Sequence, residues 1–460
     1  MESTVQDASN LTELGILFLG VTALLTLILP RRLAILPLLV TVCYMPLGQQ
    51  AVVAGLHFTI VRLLLLVGVV RVVCRGEARG LSLNRIDKLF LWWAVMSVIL
   101  GLLCDPSSKT FVNRLGVFYN ALGSYFLVSC WIRDSKNFMD SVKLLALLVV
   151  PVALLMVLEK FTSRNVFAVF GGVPEFTGER EGHLRCQAAF RHPILAGTFG
   201  ATSLPLFIGL WIQGTRRKML ALVGSISACI IAITASSGGA LITLVLGIVA
   251  LGFWRLRHQM RWVRRSIVAL IFALALVMQA PVWYLFARAS GVVGGTGWYR
   301  ALLMDTTAAH FSEWWLCGTT YTRHWAPECF VPDEDPDNID ITSQYVAEAV
   351  KGGVLKLTLF ISIIVLCFKV LGRRIHEEVT ASTTNSMFWW TLGVSLFTHC
   401  VSFWSIPYFD QMAVLWFWLL AAISRIACDE QAAPVSLAEE TRAEASLGAS
   451  PLGAQTLASE

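Results

Sequence analysis

The sequence predicts an all-α polytopic membrane protein, with about 12–13 transmembrane helices and one large outer loop that carries short helices. Three observations carry that prediction. Of the 460 residues, 56% are hydrophobic and only 14% charged, with a mean hydropathy of +0.68; soluble domains carry roughly 25% charged residues. About a dozen apolar runs are each long enough, at roughly 20 residues, to cross a bilayer as a helix, a form that satisfies its own backbone without water. Lys and Arg, finally, recur on alternate connections between those runs.

The runs place spans near 12–30, 33–48, 51–73, 87–104, 111–131, 140–158, 193–213, 218–235, 238–254, 266–286, 347–371, 386–404 and 409–427. Their orientation follows from the basic connections, because cytoplasmic loops retain Lys and Arg. These connections are Arg31-Arg32; Arg71, Arg75, Arg79, Arg85 and Lys88; Arg133 with Lys136; Arg216-Arg217-Lys218; Arg255, Arg257, Arg261, Arg264 and Arg265; and Arg373-Arg374. About thirteen spans put all of them in the cytoplasm, with the N-terminus outside and the C-terminus inside. One span more or fewer near 33–73 reverses the N-terminus and leaves the later assignments unchanged. Residues 1–428 then form one transmembrane domain, and 429–460, rich in Ala, Ser, Glu and Thr, a disordered cytoplasmic tail. Glu2, Asp7 and Glu13 precede the first apolar run, which argues against a cleaved signal.

Several function classes are excluded on these grounds. The net charge of +6 resides in turns beside spans, so no nucleic-acid partner is expected. The 11 Cys show no CxxC and no zinc spacing, and most sit inside spans as small core residues. Cys317 and Cys329 share the outer loop and can form a disulfide if it faces an oxidising compartment. The spacing reveals no metal cage, and no metal or other cofactor is expected. Neither an internal repeat nor paired broken helices mark an inverted-repeat transporter.

Polar chemistry collects in the outer segments. Between Arg288 and Tyr345 lie Arg300, Asp305, His310, Glu313, the pair Trp314-Trp315, Arg323, His324 and the acidic run from Asp333 to Asp340. Residues 298–315 predict an amphipathic helix on the outer surface, where Arg300 either meets a phosphate or pairs with Asp305 or lipid. Asp333 to Asp337 read as a solvated turn. Asp340, beside Thr342 at the lip of the next span, is either a helix N-cap or a carboxylate that orients or deprotonates a hydroxyl.

A second outer segment, Gly182 to Gly197, carries His183, Arg185, Arg191 and His192 just before a span opened by Pro193. Its free N–H groups and the positive helix end suit a phosphate or diphosphate; interfacial anchoring by snorkelling Arg is the alternative. The turn Ser236-Ser237-Gly238-Gly239 is either a packing hinge or part of the floor of an anion site. Inside the spans, Arg62 (about midway along its run) and Arg114 each cost roughly 2.5–3.5 kcal/mol if central. Both are expected to face a polar interior, and either can line the same outer cavity, for which His192 and Thr342 are further candidates.

Together these segments resemble the O-antigen ligase and polymerase group of bacterial membrane glycosyltransferases, over roughly residues 60–425. The layout matches, with about a dozen spans and one large periplasmic loop before the last few. The family's Arg…Gly/Ala-x-Phe-x-x-Pro segment is matched by Arg185-Cys186-Gln187-Ala188-Ala189-Phe190-Arg191-His192-Pro193, and its Ser-(Arg or Ser)-Gly turn by Ser236-Ser237-Gly238. Its Arg, helix and Gly step is matched by Arg300 through Trp315-Leu316-Cys317-Gly318-Thr319, and its motif ending in a glycine pair by Asp340 through Gly352-Gly353-Val354-Leu355. Ligases of the family carry a His-Asn pair where this chain has Asp340-Ile341-Thr342-Ser343, a pattern closer to exopolysaccharide-type members.

The resemblance implies a glycan transferase of the bacterial inner membrane, active in surface polysaccharide biosynthesis. Its donor would be a polyprenyl-diphosphate-linked saccharide and its acceptor a glycan or lipid, with membrane lipids and other polysaccharide-assembly proteins as partners. Arg185, Arg191 and Arg300, with Ser237 and Gly238, would bind the diphosphate. Arg185 and Arg300 would stabilise its departure, and Asp340 would engage the acceptor hydroxyl. The alternatives are a transporter or flippase for a lipid-linked saccharide or small anion, and a non-catalytic assembly partner.

Overall fold

The computed structural model describes residues 9–53, 56–214, 218–285, 288, 297–327, 330–332, 335–378 and 383–426. Arg216, Arg217, Cys329, Asp333, Glu334 and the tail 429–460 lie outside the described residues, and so do the expectations attached to them, the Cys317–Cys329 pairing included. The chain is mostly helical with few strands.

In order, the helices are α1 (Glu13–Ile28), α2 (Leu36–Tyr44), α3 (Ile60–Arg75), α4 (Arg85–Cys104), α5 (Ser108–Trp131), α6 (Ser135–Thr162), α7 (Pro193–Ile212), α8 (Lys218–Thr234), α9 (Gly238–Gly252) and α10 (Met260–Val277). Three short helices follow, α11 (Gly297–Ala309), α12 (Phe311–Trp314) and α13 (Gln344–Val350), then α14 (Gly353–Glu378), α15 (Thr383–Ser402) and α16 over 410–426. Five stretches are long and apolar enough to cross a membrane: α4, α6, α7, Gly238–Val277 from α9 through α10, and α14 as far as Glu377. Leu17, Val73, Leu103, Leu154 and Phe272 present large apolar side chains outward, as lipid-facing positions do. The chain is a multi-pass, mostly helical membrane protein.

Three apolar runs fold differently from the spans they predict. Residues 51–73 do not make one helix. Gln49–Val53 (β2) pairs antiparallel with Leu56–Thr59 (β3) and parallel with Ser9–Asn10 (β1). The helix starts only at Ile60, where the Thr59 side chain accepts from the Arg62 N–H. A short apolar run rich in Val and Phe has the same hydropathy as strand or helix, so the hairpin is hidden in it. Arg62 therefore lies in the first turn of α3, not midway along a span. Residues 33–48 contain a helix of nine residues, about 13 Å long, and reach the far end of the bundle through the non-helical stretch 45–48. The run 266–286 becomes α10, which ends at Val277 ahead of Pro281, where the ring and the missing N–H disfavour continuation.

The bundle has two chemically different ends. At one, Arg31 Nε donates to the Cys130 carbonyl at 2.9 Å, Arg71 pairs with Glu77 at 2.7 Å, Arg75 reaches the Leu27 carbonyl at 2.6 Å, and Arg425 pairs with Asp87. At the other, Thr12 Oγ1 donates to the Phe170 carbonyl at 3.2 Å, and Gln411 Nε2 donates to the carbonyls of Met45 and Ala189 at 3.2 and 2.9 Å. Gly48 and Gly172 meet there backbone to backbone, so closely that a Cβ on Gly48 would stand 2.6 Å from the Gly172 oxygen. One large apolar core runs through the helices between these ends. A second, small core of Leu303, Trp314, Trp325, Ile339, Val346 and Val350 belongs to the long loop and the short helix α13 that follows it. That loop is thus a folded element with an interior of its own.

Candidate anion and acceptor site

The site begins with a hairpin. Arg180 pairs with His183 across β4 (Glu179–Arg180) and β5 (His183–Leu184), and Glu181 and Gly182 both take positive φ, 52° and 77°. A two-residue turn with both φ values positive matches the twist of the strands it joins. The chain leaving the hairpin is tied to two helix ends. Gln187 N and Ala188 N donate to the two oxygens of Glu159 at 3.0 Å each, and Cys186 N donates to the Thr234 carbonyl at 3.3 Å. Lys160 Nζ bridges the Leu184 carbonyl at 2.5 Å and Ser236 Oγ at 3.0 Å. Arg185 sits inside this lashing. A few residues on, His192 caps α7, its Nδ1 accepting from the Ile194 N–H at 3.2 Å.

Opposite stands the long loop after α10. Arg300 of α11 donates from Nε and Nη2 to the Ser405 carbonyl, at 3.3 and 3.1 Å. Ser405 packs on Gly239, where a Cβ would lie 2.6 Å from the Ser405 Cβ, so the Ser236–Gly239 turn must carry glycine there to underlie the site. Asp305 is engaged elsewhere, accepting from Trp283 Nε1 at 2.8 Å and the Tyr284 hydroxyl at 2.5 Å. Of the partners expected for Arg300 (a phosphate, Asp305 or lipid), Asp305 is therefore not the one adopted. Asp340 is fixed through its backbone: its N–H donates to the Phe330 carbonyl at 3.0 Å and its carbonyl accepts from the Tyr299 hydroxyl at 2.5 Å. It is not a helix cap. Ser343 holds the N-cap position of α13, and Ser343 Oγ and Gln344 N both donate to the Phe403 carbonyl, at 3.1 and 2.8 Å.

The charges of these groups act on one another. Desolvation lowers the pKa of Arg300 to about 10; Arg180 and Arg185 push the same way, and Asp340 opposes them. Arg185 is lowered by desolvation and then by Arg180. His192 is pushed down to about 4 by desolvation, then by Arg185, Arg180 and Arg300, so its ring is neutral near pH 7. Asp340 moves the other way, raised by desolvation against the pull of Arg300. His192 and Asp340 are nonetheless exposed, which places them on the wall of an open recess rather than in the core. Among the described residues, buried Arg185 Nε, Thr342 Oγ1, Ser405 Oγ and Asp410 Oδ2 have no hydrogen-bond partner. Buried polar atoms are normally satisfied; Arg185 Nε and Ser405 Oγ are unsatisfied among the groups of this recess, where a polar guest can meet them.

The structure thus brings Arg185, Arg300, Asp340 and His192 together, with Ser237 and Gly238 in the turn beneath them. It adds Arg180, Lys160 and Ser405, which sequence reasoning missed. The signal for Arg180 was Glu181-Gly182, a pair suited to a tight hairpin turn. Arg191 belongs to a neighbouring group, facing Asp410 together with Arg62, and Arg62 Nε also donates to Asn120 Oδ1 at 3.1 Å. Arg114 lies apart, stacked over Gly101 and close to the charge of Glu348. A shallow apolar groove of about 540 Å³ lies on the outer flank of the bundle between α6 and α8, lined by Tyr44, Leu147, Pro151, Met219 and Val223. No protein-family model and no curated protein matches the chain.

Proposed function

We propose that this protein is a glycan transferase similar to the O-antigen ligases and polymerases, acting at the periplasmic face of a bacterial inner membrane on a polyprenyl-diphosphate-linked saccharide. In this reading about thirteen crossings put the Arg31, Arg71–Arg75 and Arg133 end in the cytoplasm and the hairpin, the turn and the outer loop outside. The observation that carries it is the meeting of Arg180, Arg185 and Arg300, from two segments far apart in sequence, around Asp340 and a neutral His192.

The chemistry follows from the charges. Three guanidinium groups, of which Arg185 keeps a buried, unpartnered Nε, suit the several oxygens of a diphosphate. As the bond between the sugar C1 and the phosphate oxygen breaks, negative charge grows on the departing diphosphate, and Arg185, Arg180 and Arg300 stabilise it. The acceptor oxygen forms the new bond to C1 and passes its proton to Asp340, whose raised pKa makes it a better base than an ordinary Asp. The polyprenyl diphosphate leaves along the apolar surface, and the loop with its own core forms one wall of the recess.

The test is complementation of a deletion strain. Wild-type protein should restore the surface glycan and Arg185→Ala should not, at equal protein level. Loss of chain length in the deletion identifies a polymerase and loss of attachment a ligase. A normal glycan profile with Arg185→Ala contradicts the proposal.

A further inference from the structure

A second cluster in the outer loop uses residues that the transferase chemistry leaves idle. His310 follows the last residue of α11, Glu313 lies in α12, and His324 belongs to the 3-10 turn Arg323–Trp325. One ligand atom from each lies within 4.8 Å of the others.

The surroundings hold these groups in ligand-like states. His310 Nδ1 lies 2.8 Å from the Thr306 carbonyl; a carbonyl only accepts, so Nδ1 carries the proton and Nε2 keeps a free lone pair. The same ring stacks on Trp325, with centroids 5.2 Å apart and planes at 12°, and stands edge-on to His324 at 5.2 Å. Glu313 accepts from Trp325 Nε1 at 2.9 Å through one oxygen and lies 3.1 Å from His324 Nε2 through the other. Hydrogen bonds from a backbone carbonyl to a His, and from an indole to a carboxylate, are the outer contacts that orient metal ligands. Trp325 belongs to the loop's small core, so this wall is rigid.

The donor set and its spacing agree. Two imidazoles and a carboxylate suit zinc-class divalent cations, and Zn–N bonds of about 2.0–2.1 Å put tetrahedral ligand atoms roughly 3.3 Å apart. The His324–Glu313 pair already stands at that spacing, and His310 need close by only about 1.5 Å at most. Glu313 and His324 are exposed, which leaves a fourth position to water.

We propose that His310, Glu313 and His324 form a zinc-class divalent metal site that clips the end of α11 and α12 to the 323–325 turn. The clip bears on Asp340. The turn is continuous with Thr322, which accepts from the Ile339 N–H at 3.0 Å and donates to Asn338 Oδ1 at 3.1 Å. A bound cation therefore steadies the segment on which Asp340 is displayed. The site stands on its own residues and survives failure of the transferase reading.

The experiment uses full-length protein in detergent, purified through a tag without histidine and stripped with a chelator. It is titrated with Zn²⁺ against a chromogenic competitor, and with Co²⁺ followed by visible absorption. Wild type should bind one equivalent, show the intense visible bands of four-coordinate Co²⁺, and melt at higher temperature with Zn²⁺. His324→Gln, which keeps a donor for Glu313, and Glu313→Gln should bind at least about 10-fold more weakly. Tyr321→Phe, which keeps the ring stacked on His324 and removes no ligand, should behave as wild type. Wild type that binds no Zn²⁺ after stripping, or His324→Gln that binds as tightly as wild type, overturns the proposal.

Discussion

Arg300 donates both Nε and Nη2 to a single acceptor, the carbonyl of Ser405, 105 positions further along the chain. The acceptor is neutral, so the guanidinium is aimed without being neutralised and keeps its charge for an anion. Lys cannot reproduce a two-nitrogen fork. Arg300→Lys should therefore keep the charge, lose the aim, and lower glycan transfer by about 10²–10³-fold, the loss typical of one displaced oxyanion donor. Initial rates at matched protein levels check this, and a wild-type rate in Arg300→Lys contradicts it.

Asp340 sets the acid side of the pH profile. Desolvation raises its pKa and Arg300 holds it back. Transfer needs the carboxylate, so activity falls as pH drops through that raised value. Removing the guanidinium removes the restraint: in Arg300→Ala the acid limb of the residual activity should move to higher pH. A limb that stays in place would mean that some other group titrates.

His192 makes a prediction about stability. Its pKa in the fold is about 4 against an ordinary 6.5, lowered by desolvation and then by Arg185, Arg180 and Arg300. A depressed His contributes stability that is fully present above pH 6.5 and is lost as pH falls from there through about 4. His192→Asn retains an acceptor for the Ile194 N–H and cannot titrate. Melting temperatures in detergent should show wild type losing more than the variant between pH 7 and pH 4. Parallel curves contradict the assignment.

Docking of the outer loop is testable through sulfur. Cys104 Sγ, at the end of α4, and Cys317 Sγ lie 3.4 and 3.9 Å from the same Gly318 carbonyl. A dithiol oxidant such as diamide should link Cys104 to Cys317, read as a joined peptide in a non-reducing digest. Two separately alkylated thiols after that treatment would mean that the loop does not rest on α4.

How much of this was legible in the sequence depended on the kind of signal. Arg185, Arg300 and Asp340 stand out because charge is rare in so apolar a chain, and Arg185 and Asp340 each lie shortly before an apolar run. Arg180 was hidden because its strands are two residues long and carry no alternation. The hairpin 49–59 was hidden for the opposite reason: Val52, Val53, Leu56 and Phe58 merge with the helix that follows into one apolar run, and hydropathy cannot separate them. His310, Glu313 and His324 follow no cage spacing, since a 3-10 turn and two short helices bring them together. Proximity made by irregular backbone leaves no periodic trace.

A diphosphate site built from Arg180, Arg185 and Arg300 makes itself known first in ligand binding. A short-chain polyprenyl diphosphate should bind the purified protein in detergent more tightly than the monophosphate. Arg185→Ala should weaken it by at least about 10-fold, as expected for the loss of a charge-assisted pair. Equal affinity for diphosphate and monophosphate, unchanged in Arg185→Ala and Arg300→Ala, would contradict the account.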